Sequence, residues 1–480
     1  MDKMLWLTCF FVGWSNFLLA QAPQYYIKAT FNNTIADSTV YYSGDTIYAP
    51  QSKHAVQLSV FAQGGGMVNH HLRCQCGPAG SWASQKWLVA LDSVGYFPIQ
   101  VFRADSLVMA LTLAVYKTPL FYFQPGYDYD GSYGFDDSTH QYLSIRNNPQ
   151  FAYGYQVRSL PGDTAYFVPW MSLLHGQLAT IRYRVKNWTV AAGQDPRGYL
   201  ELRPAAGSNI HINGRACPRF YFQHFKTHGL LDIDALQWAD NVDSLRLAGD
   251  YQAIVKGIDV ITHTGDTIGK LNLSCAKPAL KQVVFIYVNI GRGYDSSVLS
   301  RTGMLRQINQ HAHNQLMRKW VVNNDFPDTL NLTEAYFSKR QLFKPESMPE
   351  LLKDFYKAQT GIDIDKVNRF RGSARLANYI RFVFITHLVY PWLFDFKGYP
   401  WVRWLNGITA ANNGCYAALF ETANFKTVCH ELGHMLKHDH TQDEPYRVVG
   451  KATHNVMDYS ITGLQTIFNR FWYAQWIKTF

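Results

Sequence analysis

Between residues 25 and 120 apolar and polar side chains alternate in short runs, and this period-two pattern constrains the fold more than any other feature. Ala55-Val56-Gln57-Leu58-Ser59-Val60-Phe61 and Ala110-Leu111-Thr112-Leu113-Ala114-Val115-Tyr116 show it most clearly, punctuated by Gly64-Gly65-Gly66 and an Asp45-containing turn. Successive strand side chains point to opposite faces, so such runs fit an antiparallel sandwich with one face packed and the other in water. A second β-rich region over 143–280 repeats the pattern. Its cleanest strand, Thr180-Ile181-Arg182-Tyr183-Arg184-Val185-Lys186, puts apolar side chains at 181, 183 and 185 and basic ones between. Aromatics make up 15% of the chain. Sandwich cores and carbohydrate sites both use them, so glycan or surface binding by the β modules is an open expectation.

The first residues bear on the compartment. Lys3 precedes an apolar stretch from Met4 to Val12, and Phe17-Leu18-Leu19-Ala20-Gln21-Ala22 supplies a small-x-small cleavage signal. This pattern predicts a secretory signal peptide over 1–22. Ser15-Asn16 breaks the run well short of the roughly 20 apolar residues a membrane span needs. The expectation is an exported chain, secreted, periplasmic or at the cell surface, with no integral membrane segment once the signal is removed. Lys and Arg total 45 against 35 acidic residues, a net charge of +10, spread without a long basic run. That surplus fits weak attraction to acidic surfaces, not nucleic-acid binding.

Export permits disulfides. Removing Cys9 with the signal leaves Cys74, Cys76, Cys217, Cys275, Cys415 and Cys429. Cys415 and Cys429 are the least ambiguous candidate pair, with two buried thiols as the alternative. A cluster at His70-His71-x-x-Cys74-x-Cys76 has metal-type residues, but disulfide partners elsewhere are the simpler reading. Between the β regions, residues 123–142 are rich in Asp, Gly and Tyr and have no strand or helix period. Asp128, Asp130 and Asp136 there are hard oxygen ligands of the kind calcium takes. The spacing fails the EF-hand pattern and no Glu closes it, so Ca2+ is a secondary expectation beside a solvated turn.

At Lys281 the character changes. Val283-Val284-Phe285-Ile286-Tyr287-Val288 is a continuous apolar run, as in a strand covered on both faces, and a long helical stretch from about Ser297 to Trp320 follows. Tyr379-Ile380-Arg381-Phe382-Val383-Phe384-Ile385 is a second such run. The expected architecture is multidomain: an all-β, sandwich-like module over 23–122, the linker over 123–142, a second β-rich module over 143–280, and an α/β domain over 281–480.

Near the end stands Thr427-Val428-Cys429-His430-Glu431-Leu432-Gly433-His434-Met435-Leu436-Lys437-His438-Asp439-His440. Phe425, Val428, Leu432, Met435 and Leu436 form a stripe at helical spacing, with Thr422 or Asn424 available as N-cap. His430 and His434, four apart, are separated by about 6 Å of rise and 40° of turn, so both imidazoles point the same way and could meet one zinc. Glu431 could reach a water on that ion without being a ligand. In a chain with 17 histidines the pentad arises by chance roughly two times in a hundred. The plain alternative is a buried helix whose histidines satisfy neighbours.

With His440 ten residues after His430, and Asn455-Val456-Met457-Asp458-Tyr459-Ser460 downstream, the pattern resembles the metzincin zinc peptidases. Their motif is HExxHxxGxxH followed by a methionine turn. The resemblance implies a metzincin-like catalytic domain with His430, His434 and His440 as zinc ligands, Glu431 as general base, Met457 beneath the metal site and Tyr459 as a catalytic helper. Lys437 stands where that family has Gly. His438 is a rival ligand, but a continuous helix holds it about 12 Å from His430. Glu444 is a poor third ligand. The function so implied is a secreted, zinc-dependent endopeptidase acting on protein or peptide substrates. The alternative is a secreted adhesion or glycan-binding protein with a catalytically inactive, zinc-binding domain of that type.

Overall fold

The computed structural model describes residues 25–31, 39–64, 72–76, 80–83, 86–103, 105–127, 129–136, 157–161, 163–206, 208, 210–235, 256–276, 278–290, 301–316, 318–332, 348–370, 380–386, 390–396, 399–405, 407–410, 415–420 and 425–436. The first region holds β1 (Tyr25–Phe31), β2 (Thr39–Tyr41), β3 (Thr46–Pro50), β4 (Ala55–Ala62), β5 (Leu72–Cys76), β6 (Gly80–Ala83), β7 (Lys86–Ala90), β8 (Gly95–Arg103) and β9 (Ser106–Tyr116). They form two sheets, ordered β2-β1-β4-β7-β6 and β3-β9-β8-β5. The buried phase of β1, β3, β4, β7, β8 and β9 supplies one shared core, including Ile27, Val56, Leu58, Val60, Ile99 and Leu113. The opposite phase is left outside, as alternation requires.

The second region contains β10 (Leu120–Pro125), β11 (Gly134–Asp136), β12 (Val157–Leu160), β13 (Asp163–Phe167), β14 (Trp170–Leu174), β15 (Leu178–Lys186), α1 (Val190–Gln194), β16 (Tyr199–Pro204), β17 (His211–Ile212), β18 (Arg219–Tyr221), β19 (His228–Asp234), β20 (Lys256–Thr262) and β21 (Thr267–Ala276). A four-stranded sheet, β10-β15-β19-β17, faces a six-stranded one, β11-β14-β21-β20-β16-β18. Phe121, Phe123, Ile181, Val185, Leu231 and Ile233 meet Met171, Leu200, Val260 and Leu271 between them.

The third region has β22 (Ala279–Ile290), α2 (Arg301–His311), β23 (Arg318–Val322), β24 (Thr329–Leu332), α3 (Met348–Thr360), α4 (Ile364–Phe370), β25 (Arg381–Thr386), β26 (Tyr390–Phe396), β27 (Tyr399–Leu405), β28 (Gly407–Thr409), β29 (Tyr416–Leu419) and α5 (Phe425–Met435). The sheet order is β23-β22-β25-β29-β28, with β24 also on β22. One face packs beneath α2 and α5, the other beneath α3.

The expected fold class is corrected. Among the described residues strands far outnumber five helices, none longer than 13 residues. The chain is predominantly β, and a C-terminal α/β metzincin-like catalytic domain is not what distinguishes it. Residues 297–320 illustrate the cause. Among the described residues there, the α-helix covers Arg301–His311 and a 3-10 turn follows at His313–Leu316; helix does not reach Trp320 because Trp320-Val321-Val322, bulky and β-branched, pair in parallel with Lys281-Gln282-Val283.

Of the two readings of Cys415 and Cys429, the structure has the buried thiols, not bridged to each other. Cys415 packs with Leu352 and Phe382 on one side of the last sheet, whereas Cys429 packs with Leu305 and Trp320 on the other. The sheet stands between them.

Polar joints tie the regions together. Lys53 pairs with Asp266 at 2.9 Å and donates to the Thr264 carbonyl at 2.6 Å, linking the first sandwich to the β20–β21 turn. Ser172 Oγ donates to the Gln315 carbonyl at 2.8 Å, and Gln315 Nε2 donates to the Gly131 carbonyl at 3.1 Å, linking the second sandwich to the region of α2.

Candidate functional site

Helix α5 forms because its apolar stripe has somewhere to go. Val428, Cys429, Leu432, Met435 and Leu436 enter the core shared with α2, and Phe425 packs at its edge. The helix ends at Met435, where Leu436 N–H is shared between the carbonyls of Leu432 and Gly433. His430 and His434 are half-buried, with ring planes at 90° and centroids 4.7 Å apart. Their Nε2 atoms lie 3.1 Å apart, a hydrogen-bond distance in which one ring donates and the other accepts. Glu431 turns the other way. It is 5% exposed and its carboxylate accepts from Thr409 Oγ1 on β28 at 2.6 Å. Burial pushes the Glu431 carboxyl up to about 7, against the lowering effect of the Thr409 hydrogen bond.

The spacing thus brings His430 and His434 together and sends Glu431 to a neighbouring strand. His440, Met457 and Tyr459 lie outside the described residues, as do His438, Glu444, His70, His71 and the signal region 1–22. Among the described residues no group of three or more His, Cys, Asp or Glu side chains could hold a metal ion. The zinc expectation is corrected on that ground: the described residues bring two imidazoles together and no third ligand to them. Calcium is corrected likewise. Asp130 accepts from Ser132 N–H at 2.8 Å and faces His311 Nδ1 at 3.1 Å, while Asp136 is buried on β11; Asp128 is outside the described residues.

The outer faces of the sandwiches carry a different kind of cluster. On β1, Ile27 and Ala29 are fully buried, so Tyr26 and Lys28 take the outward phase. Cross-strand register sets Tyr26 opposite Phe61. Those rings stack 5.3 Å apart with planes 9° apart, and the Lys28 ammonium sits 4.9 Å over the Phe61 ring. Tyr42, just beyond β2, lies 6.3 Å from Tyr26 and is 54% exposed. The result is a row of three rings and one cation, running across strands on the side away from the core. Sequence reasoning noted the abundance of aromatics but missed these residues. The available signal was a Tyr and a Lys on the phase of β1 that the core does not use.

No protein-family model matches the chain, and no curated protein matches it. Solved structures similar to part of it include the Yersinia pseudotuberculosis adhesin InvE, at 8% identity over 48% of this chain and 56% of that one, TM-score 0.18. The Escherichia coli adhesin FdeC matches at 7% identity over 52% and 64%, TM-score 0.19. The N-terminal eight Ig domains of Down Syndrome Cell Adhesion Molecule match at 7% over 56% and 30%, TM-score 0.20. This chain spans less than two thirds of each. Two of these are adhesins and one is a cell adhesion molecule, and scores this low decide nothing about this chain.

The metzincin resemblance is therefore corrected. No family model stands behind it, the described chain is dominated by strand, and its described residues hold no three-ligand set. The pentad, with His440, Met457 and Tyr459 beyond it outside the described residues, specified less than its match suggested. The zinc endopeptidase reading falls with it. Among the described residues no helix is long and apolar enough to cross a membrane.

Proposed function

We propose that this chain is an exported surface-binding protein whose β-sandwiches attach it to carbohydrate. The observation that carries the reading is the Tyr42, Tyr26, Phe61 and Lys28 row on the outer face of the first sandwich. A sugar ring has an apolar C–H face and a hydroxyl edge. An exposed aromatic ring packs against the former, and phenol and ammonium groups bond the latter. Tyr42 is the accessible end of the row, while Phe61 is covered by Tyr26 and Lys28 and holds them in place. The signal-like sequence at 1–22 supports export, and the two sandwiches supply rigid platforms for surface contact.

The test is binding of the mature chain, from residue 23, to immobilised neutral polysaccharides such as cellulose, chitin, xylan and mannan. Retention of at least one of them, with Tyr42→Ala weakening it about tenfold and leaving thermal stability unchanged, is the expected result. Retention of none, or Tyr42→Ala binding like the parent, would overturn the reading.

A further inference from the structure

The outer face of β15 carries charge in a pattern the core does not explain. Ala179, Ile181, Tyr183 and Val185 fill the sandwich interior, leaving Arg182, Arg184 and Lys186 on the opposite phase. Alternate residues on a strand are about 7 Å apart, so the three cations span about 14 Å in a straight line. Register places Gln124 and Tyr122 of β10 beside Arg182 and Arg184, and Leu230 and His228 of β19 on their other side. Arg184, Lys186, His228 and Leu230 are exposed. The Arg182 guanidinium lies 4.2 Å over the ring of Tyr127, which is 73% exposed, and the Lys186 ammonium lies 4.6 Å over that of Tyr122.

Among the described residues of the paired strands, the carboxylates of this face stand at its far end. Asp232 stands opposite Thr180, not opposite the cations, and accepts from the Thr180 hydroxyl at 2.7 Å. The fold uses part of this charge, since Arg182 Nε donates to the Pro125 carbonyl at 2.7 Å and Lys186 lies over Tyr122, but Arg184 is exposed and like charges held in line on one strand repel one another. Charge complementarity points to a linear polyanion lying along β15.

We propose that this face binds an acidic polysaccharide, a chain of carboxylated or sulfated sugars. The proposal rests on the surface-binding reading above and names a second ligand class at a second site. Two features favour sugar over nucleic acid. Single-stranded nucleic acid is held by a series of open ring faces on which bases stack, whereas Tyr122 is half-buried, with Lys186 over it and the Tyr166 ring 5.3 Å away, so of these two tyrosines Tyr127 alone offers an open face. The β10 edge of this face is also packed by Leu160 and Tyr166 of the β12–β13 hairpin, which leaves the open cations in a line along β15. A polyanion of sugars needs no series of open rings: its carboxylates or sulfates take the guanidinium and ammonium donors, and its hydroxyls reach the Gln124 amide and the phenols.

The experiment measures binding of the full mature chain to heparin and polygalacturonate as salt is raised, with a single-stranded oligonucleotide and phosphatidylserine vesicles as competitors. R184E/K186E is the variant, both side chains being exposed, and K186R, which keeps the charge, is its control. Binding of at least one acidic polysaccharide is expected, at least tenfold weaker in R184E/K186E and with a shallower salt dependence. Binding by K186R should stay within twofold of the parent. The proposal is overturned if the parent prefers the oligonucleotide or vesicles, binds neither polysaccharide, or binds them no better than R184E/K186E does. Neutral-glycan binding through Tyr42 should survive in R184E/K186E. Its absence from the parent would sink the carbohydrate reading of the first sandwich and leave this result to stand by itself.

Discussion

The Nε2 atom of His313 lies 3.0 Å from the carbonyl oxygen of Cys429, joining the turn after α2 to helix α5. His313 is fully buried and meets Trp320 edge to face, with centroids 5.6 Å apart. A carbonyl can only accept, so in the neutral ring Nε2 carries the proton. Burial disfavours the imidazolium more than the carbonyl favours it, and the pKa falls from 6.5 to about 4.

This depression makes the fold acid-sensitive. Between about pH 6.5 and pH 4 the unfolded chain takes up a proton at His313 that the native chain refuses, so stability falls as pH drops through that window. Above it the group has no effect. The full loss is on the order of 3 kcal/mol. His313→Gln keeps a donor for the carbonyl without titrating, and urea unfolding at pH 7, 6, 5 and 4 should show a flatter pH dependence than the parent. Parallel curves would refute it.

Local periodicity was legible, and partnership was not. Ile181, Tyr183 and Val185 announce the buried face of β15 because a period of two fixes which way each side chain points. Nothing local announces that β3 pairs in parallel with β9, setting Thr46 against Thr112. The row of Tyr26, Phe61 and Tyr42 exists only through such register. Helix α5 could be read from its stripe, yet its chemistry could not, since two imidazoles four apart can serve a metal or each other. The linker over 123–142 shows the same limit: the Gly131 carbonyl within it receives Gln315, 184 residues away.

Lys53 and Asp266 give a second prediction. Their side chains are 4% and 14% exposed, and Ser52 Oγ and Thr264 Oγ1 also donate to Asp266. Lys53→Met leaves a largely buried carboxylate without its cation, at a cost of about 3–5 kcal/mol. Calorimetry should then show the first sandwich melting ahead of the second. Restoring neutrality with Asp266→Asn in the same chain should recover part of the loss. An unchanged single melt in Lys53→Met would show that the pair does not couple the sandwiches.

At Gly407 the β28 backbone passes close to α5. A Cβ there would stand 2.9 Å from both Glu431 Cγ and Thr427 Cγ2. Those atoms are buried and belong to a packed helix, so they have little room to give. Gly407→Ala should destabilise the chain by about 1–3 kcal/mol through overpacking. Thr427→Ser, which removes the clashing Cγ2 methyl group, should recover part of it in the double variant. A Gly407→Ala chain as stable as the parent in urea would contradict the close approach.

The cysteines give the last prediction. Cys217 is exposed, whereas Cys275, Cys415 and Cys429 are buried, and burial raises the Cys429 thiol well above its ordinary range. Thiolate is the reactive form, so burial protects Cys429 twice, by access and by protonation. Iodoacetamide on the native chain should label Cys217 quickly and leave the other three, as peptide mass spectrometry would record. Unfolding in guanidinium without any reductant should then expose Cys415 and Cys429 to full labelling. If both stay unlabelled until a reductant is added, they are bridged, and the placement of these two residues on opposite sides of the last sheet is wrong.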